Sequence, residues 1–221
     1  MILVTGGLGF IGSHAVVALQ EKGHQVLIVD DLSNSSIEVL KGIETASGIR
    51  PLFVKLNLQN STAVAELFQQ HSITGIIHFA AYKAVGESVQ KPVAYYQNNL
   101  GSLLNLLAEV EKADAPIPFI FSSSCTVYGE ATELPITENA PVQPAMSPYG
   151  NTKQIGEEIL VDAVNAFEGF RVISLRYFNP IGAHPSIAIG ELPLGKPQNL
   201  VPFITQTAAG LYPKLTVFGN D

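Results

Sequence analysis

Eight residues near the amino end narrow the choice of fold. Thr5-Gly6-Gly7-Leu8-Gly9-Phe10-Ile11-Gly12 joins an apolar run, Ile2 to Thr5, to a helical pattern that begins at Ile11 and is ended by Gly23. The glycines fall as Gly7-x-Gly9-x-x-Gly12 or as Gly6-x-x-Gly9-x-x-Gly12. In either frame glycine permits a tight strand-to-helix turn, lets backbone N–H groups approach a pyrophosphate, and lets the helix pack on its strand. The helix amino terminus then faces the anion. The pattern gains its meaning from its place between a strand and a helix.

The same stretch has a competing reading. No charged side chain precedes Glu21, so residues 2–19 carry the composition of a signal peptide or a membrane span. A signal peptide needs a basic start, which is lacking. A span needs ~20 mostly apolar residues, whereas this stretch holds Thr5, Ser13, His14 and four glycines. The turn is the better account, and no membrane segment is expected.

Downstream, short apolar runs alternate with helical patterns. Strands are expected at 25–30, 51–56, 75–79, 119–122 and 171–176. Helices are expected at 36–47, 61–71, 92–113 and 149–167, with a Pro-rich loop over 130–148. Runs that are apolar on both faces and separated by helices imply a parallel sheet covered on both sides. The right-handed crossover rule then gives an α/β fold with a doubly wound parallel sheet. After Asn179 prolines and glycines cluster, a short helix follows, and Leu215 to Phe218 reads as a last strand. The chain has 221 residues, which suits one complete domain of ~150 residues and part of a second. The boundary divides residues 1–176 from 177–221.

Composition narrows the partners. The net charge of −7 argues against gripping a nucleic-acid backbone through a basic face. Charged residues make up 14% of the chain, against about 25% in an ordinary soluble domain, which fits a sheet buried on both faces. The single cysteine, Cys125, excludes an internal disulfide framework and points to the cytoplasm. It has no paired base and reads as a small buried thiol. The five histidines are scattered without metal spacing, so no metal is expected, and His78 reads as a satisfied core residue.

Two constellations carry chemistry. Asp30 closes the second strand, 18 positions beyond Gly12, where an acid accepts from an adenosine ribose 2′-hydroxyl. A carboxylate there repels a 2′-phosphate and no arginine precedes Arg50, so NAD is favoured over NADP. Tyr149 and Lys153 stand four apart at a helix start, on one face, after a strand that runs into Ser122-Ser123-Ser124. A free phenol, with a pKa of ~10, is a poor base near neutrality. A nearby ammonium and an oxidised nicotinamide would lower it. Tyr149 could then take a proton from a substrate hydroxyl as hydride leaves the same carbon, with Ser124 bonded to the same oxygen.

Together these residues resemble the extended short-chain dehydrogenase/reductase family, and within it the UDP-hexose 4-epimerases. The likeness runs from Ile2 to Asp221. It is carried by TGGLGFIGSH, HFAAYKAVGESVQKP, SSSCTVYGE, SPYGNTK, LRYFNPIGAHPS, the NLVPFI run and the closing FGND. The resemblance implies a Rossmann domain, tightly bound NAD, a UDP-hexose substrate and a homodimer built on the two long helices. It makes Tyr149 the base, Lys153 its electrostatic partner and Ser124 the second hydroxyl on the sugar. It places Gly6, Gly9, Phe10, Ile11, Gly12, Asp30, Asp31, Asn34, Ser35, Asn57, Leu58, Phe79, Ala80, Lys83 and Asn98 around NAD. Tyr177 joins Tyr149 and Lys153 near the nicotinamide. Asn179, Asn199, Leu200, Thr216 and Phe218 would meet the UDP-sugar.

The resemblance also marks departures. Asn57 stands where the family usually has Asp, and Cys125 replaces a small residue. Family members run on well beyond Asp221, so the substrate region is expected to be incomplete. An NAD-binding chain without turnover and an N-acetyl-hexosamine epimerase are therefore the alternative readings. A nucleotide-sugar dehydratase is disfavoured, because Cys125-Thr126 occupies the place of that class's Asp-Glu pair.

Overall fold

The computed structural model describes residues 1–131, 133–197, 199–217 and 219. Six strands form one wholly parallel sheet: β1 (Ile2–Thr5), β2 (Val26–Asp30), β3 (Leu52–Lys55), β4 (Gly75–His78), β5 (Phe119–Ser124) and β6 (Val172–Tyr177). Their order is β3-β2-β1-β4-β5-β6. Central β1 pairs with β2 on one side and β4 on the other, with Val4 opposite both Ile28 and Ile77. The helices are α1 (Phe10–Glu21), α2 (Val39–Ser47), α3 (Ser61–Gln70), α4 (Val85–Gln90), α5 (Pro92–Glu111), α6 (Pro148–Ala166) and α7 (Leu200–Ala208). The doubly wound α/β sheet expected from the alternating pattern is thus present. None of the described helices is long and apolar enough to cross a membrane.

Alternation along each strand sorts the core into two layers. Leu3, Leu27, Val29, Ile76, Phe119 and Phe121 face α3, α5 and α6, where Leu67, Leu103, Leu106 and Leu160 meet them. Val4, Val26 and Ile28 face α1 and α2 through Val16, Val17, Leu40 and Ile43. All five residues of β2 are buried, as expected of a strand covered on both faces. Cover is not complete across the sheet, however. On β6, Ile173 is 59% exposed and Leu175 36%, so the second face is open at that edge among the described residues.

Local signals place the helix starts. Asn60 caps α3 by accepting from the Ala63 N–H at 3.1 Å, and Ser147 caps α6 by accepting from the Gly150 N–H at 3.1 Å. Pro92 and Pro148 occupy first-turn positions that need no N–H donor. Helix α4 is not expected from the sequence. Six residues that include Gly86 give no usable helical period, and the segment is held by packing near α5 and α6. The strand expected at 215–218 is corrected: Leu215, Thr216 and Val217 adopt no regular structure, and Phe218 lies outside the described residues.

His78, at the end of β4, is 2% exposed, with its Nδ1 2.7 Å from the Thr5 hydroxyl. Burial, reinforced by the Lys153 charge, pushes the imidazole down to about 3. The folded protein therefore holds His78 neutral while the unfolded chain protonates it below its ordinary 6.5. This contribution to stability is whole above pH 6.5 and is lost as pH falls from there toward 3. Between pH 6.5 and 5, the urea-unfolding free energy should fall more steeply for the parent than for His78→Gln. The difference in slope should approach about 1.4 kcal/mol per pH unit. Equal slopes would contradict the assignment.

Candidate functional site

Neighbouring β1 and β4 send their connections to opposite faces of the sheet, β1 to α1 and β4 to α4 and α5, so a crevice opens between them at the carboxyl edge. A cavity of about 1460 Å³ fills it. Thr5, Asp30, His78, Ser124 and Tyr177 each end a strand at this edge, and Asp30, Ser124 and Tyr177 line the cavity.

The glycine turn forms one wall. Gly6 has φ +66°, and a Cβ there would stand 2.7 Å from the Ala80 backbone nitrogen, on the loop after β4. A Cβ at Gly12 would collide with the Gly6 carbonyl. Backbone is thus as close to backbone as the two segments can come. The α1 amino terminus opens on the cavity with no side-chain cap and no acidic residue in its first turn. Unpaired first-turn N–H groups and a positive dipole end are suited to an anion.

Asp30 organises the rim. Its Oδ1 accepts from the Leu32 N–H at 3.0 Å and the Ser35 hydroxyl at 2.7 Å. Among the described residues its Oδ2 accepts only from the Leu8 N–H, at 3.2 Å, and keeps capacity for a further donor. Asp31 closes its own turn by accepting from the Ser33 N–H, and Asn57 does the same with Gln59.

The other half holds the titratable groups. Lys153 is 4% exposed and donates to the Ser122 carbonyl at 2.7 Å. Its Nζ lies 5.0 Å from the centre of the Phe121 ring and 5.9 Å from that of Tyr149. Among the described residues it forms no ion pair, and burial pulls its ammonium down to about 8. Burial pushes the Tyr149 phenol above its ordinary 10, opposed by a hydrogen bond with Ser124. Desolvation is the largest influence on the phenol of the chain by itself, and the lowering expected of Lys153 acts together with an oxidised nicotinamide. Thr126 Oγ1, on the cavity wall, is buried without a hydrogen-bond partner among the described residues. Cys125 is partly exposed and lines the cavity, rather than being a buried thiol.

Most expected site residues meet in this one cavity. Gly6, Gly9, Phe10, Ile11, Gly12, Asp30, Asp31, Asn34, Ser35, Asn57, Leu58, Phe79, Ala80, Lys83 and Asn98 line it, as do Ser124, Tyr149, Tyr177, Asn179 and Asn199. Lys153 sits beneath the wall. Leu200, 70% exposed at the start of α7, does not line it, and neither does exposed Thr216. Phe218 lies outside the described residues. Glu191 joins the site without being expected there. Its Oε1 accepts from Asn199 Nδ2 at 2.6 Å and lies 3.9 Å from Lys83 Nζ, across the cavity mouth. Nothing in the local sequence marks that acid, since the loop that carries it has no periodic signal.

Comparison with known proteins adds a family. The profile of the NAD dependent epimerase/dehydratase family matches residues 2–221. UDP-glucose 4-epimerases of Yersinia enterocolitica and Dictyostelium discoideum are each 48% identical over 220 residues, covering 100% of this chain. The chain spans 65% and 63% of their lengths. A solved UDP-glucose 4-epimerase from Stenotrophomonas maltophila, with bound NAD and formylated UDP-arabinopyranose, superposes with a TM-score of 0.93 at 46% identity. It covers 99% of this chain and 64% of its own. The enzyme from Bifidobacterium longum, in complex with NAD+ and UDP, gives 0.91 at 44% identity, covering 95% of this chain and 62% of its own.

Gly6→Ala tests the cradle itself. The left-handed backbone costs roughly 1–2 kcal/mol for a residue with a Cβ, before the clash with Ala80 is counted. Urea unfolding should show at least that loss, and a variant as stable as the parent would contradict the close approach.

Proposed function

The chain belongs to the NAD dependent epimerase/dehydratase family, and from that premise we propose that it is the cofactor-binding and catalytic part of a UDP-glucose 4-epimerase. On this reading residues 1–176 bind NAD and residues 177–221 begin the region that receives the UDP-hexose. The observation that carries it is that one crevice holds the glycine turn with Asp30 in one half, and Tyr149 and Ser124, with Lys153 beneath the wall, in the other. Relatives named UDP-glucose 4-epimerase support the substrate class.

The residues fit the cofactor. The uncapped α1 terminus and the glycine cradle suit a pyrophosphate, and the free capacity of Asp30 Oδ2 suits a ribose hydroxyl. When bound, NAD supplies a two-electron sink that takes a hydride from C4 of the hexose and returns it, and a positive ring that favours the phenolate. Tyr149 takes the C4 hydroxyl proton and later returns it to the same oxygen. Ser124 donates to that oxygen and steadies it as it becomes a carbonyl. Lys153, held by the Ser122 carbonyl, keeps two donors and a positive charge near the phenol. The 4-keto sugar turns within the site before reduction on its opposite face. A dehydratase lacks its acid and base here, since Cys125 and Thr126 hold those positions.

The exposed apolar side chains Val93 and Leu104 on α5 and Val161 and Val164 on α6 supply the face of a homodimer. A cytoplasmic setting fits the lone free cysteine.

Incubation with UDP-galactose and NAD should yield UDP-glucose, and Tyr149→Phe should lower turnover by roughly 10²–10⁴-fold. Equal rates in parent and variant would remove Tyr149 from the chemistry. Light scattering at micromolar concentration should give twice the chain mass, and a monomer mass would refute the dimer.

A further inference from the structure

After β6 the chain turns back over the carboxyl edge of the sheet. Residues 183–190 form a small hairpin, closed by the bridge between Ala183 and Gly190 and by the His184 N–H, which donates to the Ile189 carbonyl at 3.0 Å. This hairpin is not seated beside β6. Ile189 is 6% exposed and belongs to the buried cluster of Val4, Val16, Leu40 and Ile43, on the face covered by α1 and α2. The His184 ring lies 6.2 Å from that of His14 on α1. From β6 to β1 or β2 is three to four strand spacings, roughly 14–19 Å. The stretch from Tyr177 to Ala183 reaches roughly 20 Å when extended, just enough to cross. Phe178, Asn179 and Pro180 line the cavity on the way.

The landing place is prepared. Glycine is a poor choice inside a helix, yet Gly42 stands within α2. A Cβ there would collide with the Ala188 carbonyl oxygen and stand 2.9 Å from Ile189 Cγ2. At the tip, Ile187 holds φ +57°, which a β-branched residue rarely adopts. Its N–H donates to the His184 carbonyl at 2.8 Å, and the Ala188 N–H donates to Ser186 Oγ at 3.3 Å. Such a conformation persists where its surroundings impose it. Directly after the hairpin comes Glu191, 3.9 Å from Lys83 Nζ on the opposite side of the cavity mouth.

We propose that residues 178–191 are a strap across the NAD cavity, and that Gly42 and Ile189 are positioning residues that anchor it and set how long the cofactor stays. The proposal rests on the NAD reading and names what retains the cofactor. A dinucleotide cannot pass while the strap is seated. Lifting it exposes Ile189 and parts Glu191 from Lys83, so seating governs release more than entry. Gly42 does not line the cavity, so a change there reaches the cofactor through the strap.

The test is release of radiolabelled NAD from the loaded full chain, chased with excess unlabelled NAD. Gly42→Ala and Ile189→Ala should each release NAD roughly tenfold faster than the parent. Ile189→Val, which keeps most of the anchor, should stay within about twofold. Without ligand, the His184 amide should exchange roughly tenfold faster in Gly42→Ala, while the Leu27 amide in β2 keeps its rate. Unchanged release in Gly42→Ala or in Ile189→Ala overturns the proposal. Faster release with equal acceleration at Leu27 reports general loosening and overturns it as well. A parent that binds no NAD fails the NAD reading and the strap with it, whereas NAD bound and released at one rate by parent and variants fails the strap alone.

Discussion

The pairing of β1 with β2 on one side and β4 on the other governs the rest of this molecule. From that strand the chain first winds outward through β2 and β3, then crosses back to build β4, β5 and β6. The connections at the carboxyl edge must part, and no side chain of the sheet can fill the gap they leave. The glycine turn brings α1 to the crevice, and the lack of a Cβ at Gly6 lets the loop after β4 close against it. Both halves of the site take their position from this single close approach.

The electrostatics derive from the same burial. The carboxyl edge holds His78 neutral, Lys153 without an acidic partner among the described residues, and Tyr149 with its phenol pushed upward. A carboxylate beside Lys153 would have stabilised the ammonium, but it would also have competed for the positive field near the phenol. Instead, the lysine is held by a backbone carbonyl and two aromatic rings. A buried cation so weakly compensated is costly to keep, and its cost is understood when the groups around it are read as a site built for polar ligand atoms.

Much of this is legible in the residues. The glycine turn, Asp30, Ser124 and Tyr149 each stand at the end of a strand or the start of a helix, where spacing is local. Helix α4 is hidden by its length and by Gly86. The run at Leu215 misleads because strand propensity reports fit to a pleated neighbour, and no described strand lies beside it. The upward shift of Tyr149 cannot be read from a spacing of four, because it depends on depth rather than on sequence separation. The seating of the 183–190 hairpin is invisible for a related reason. Gly42 and Ile189 lie far apart in the chain and meet only once the segment after β6 has crossed the sheet.

Calorimetric titration of the chain with NAD and, in parallel, with NADP tests most directly whether the crevice is a dinucleotide site. Saturable binding of one NAD per chain is the expected result, with NADP roughly tenfold weaker or worse because Asp30 repels the 2′-phosphate. No NAD binding, or equal affinity for the two, would contradict it.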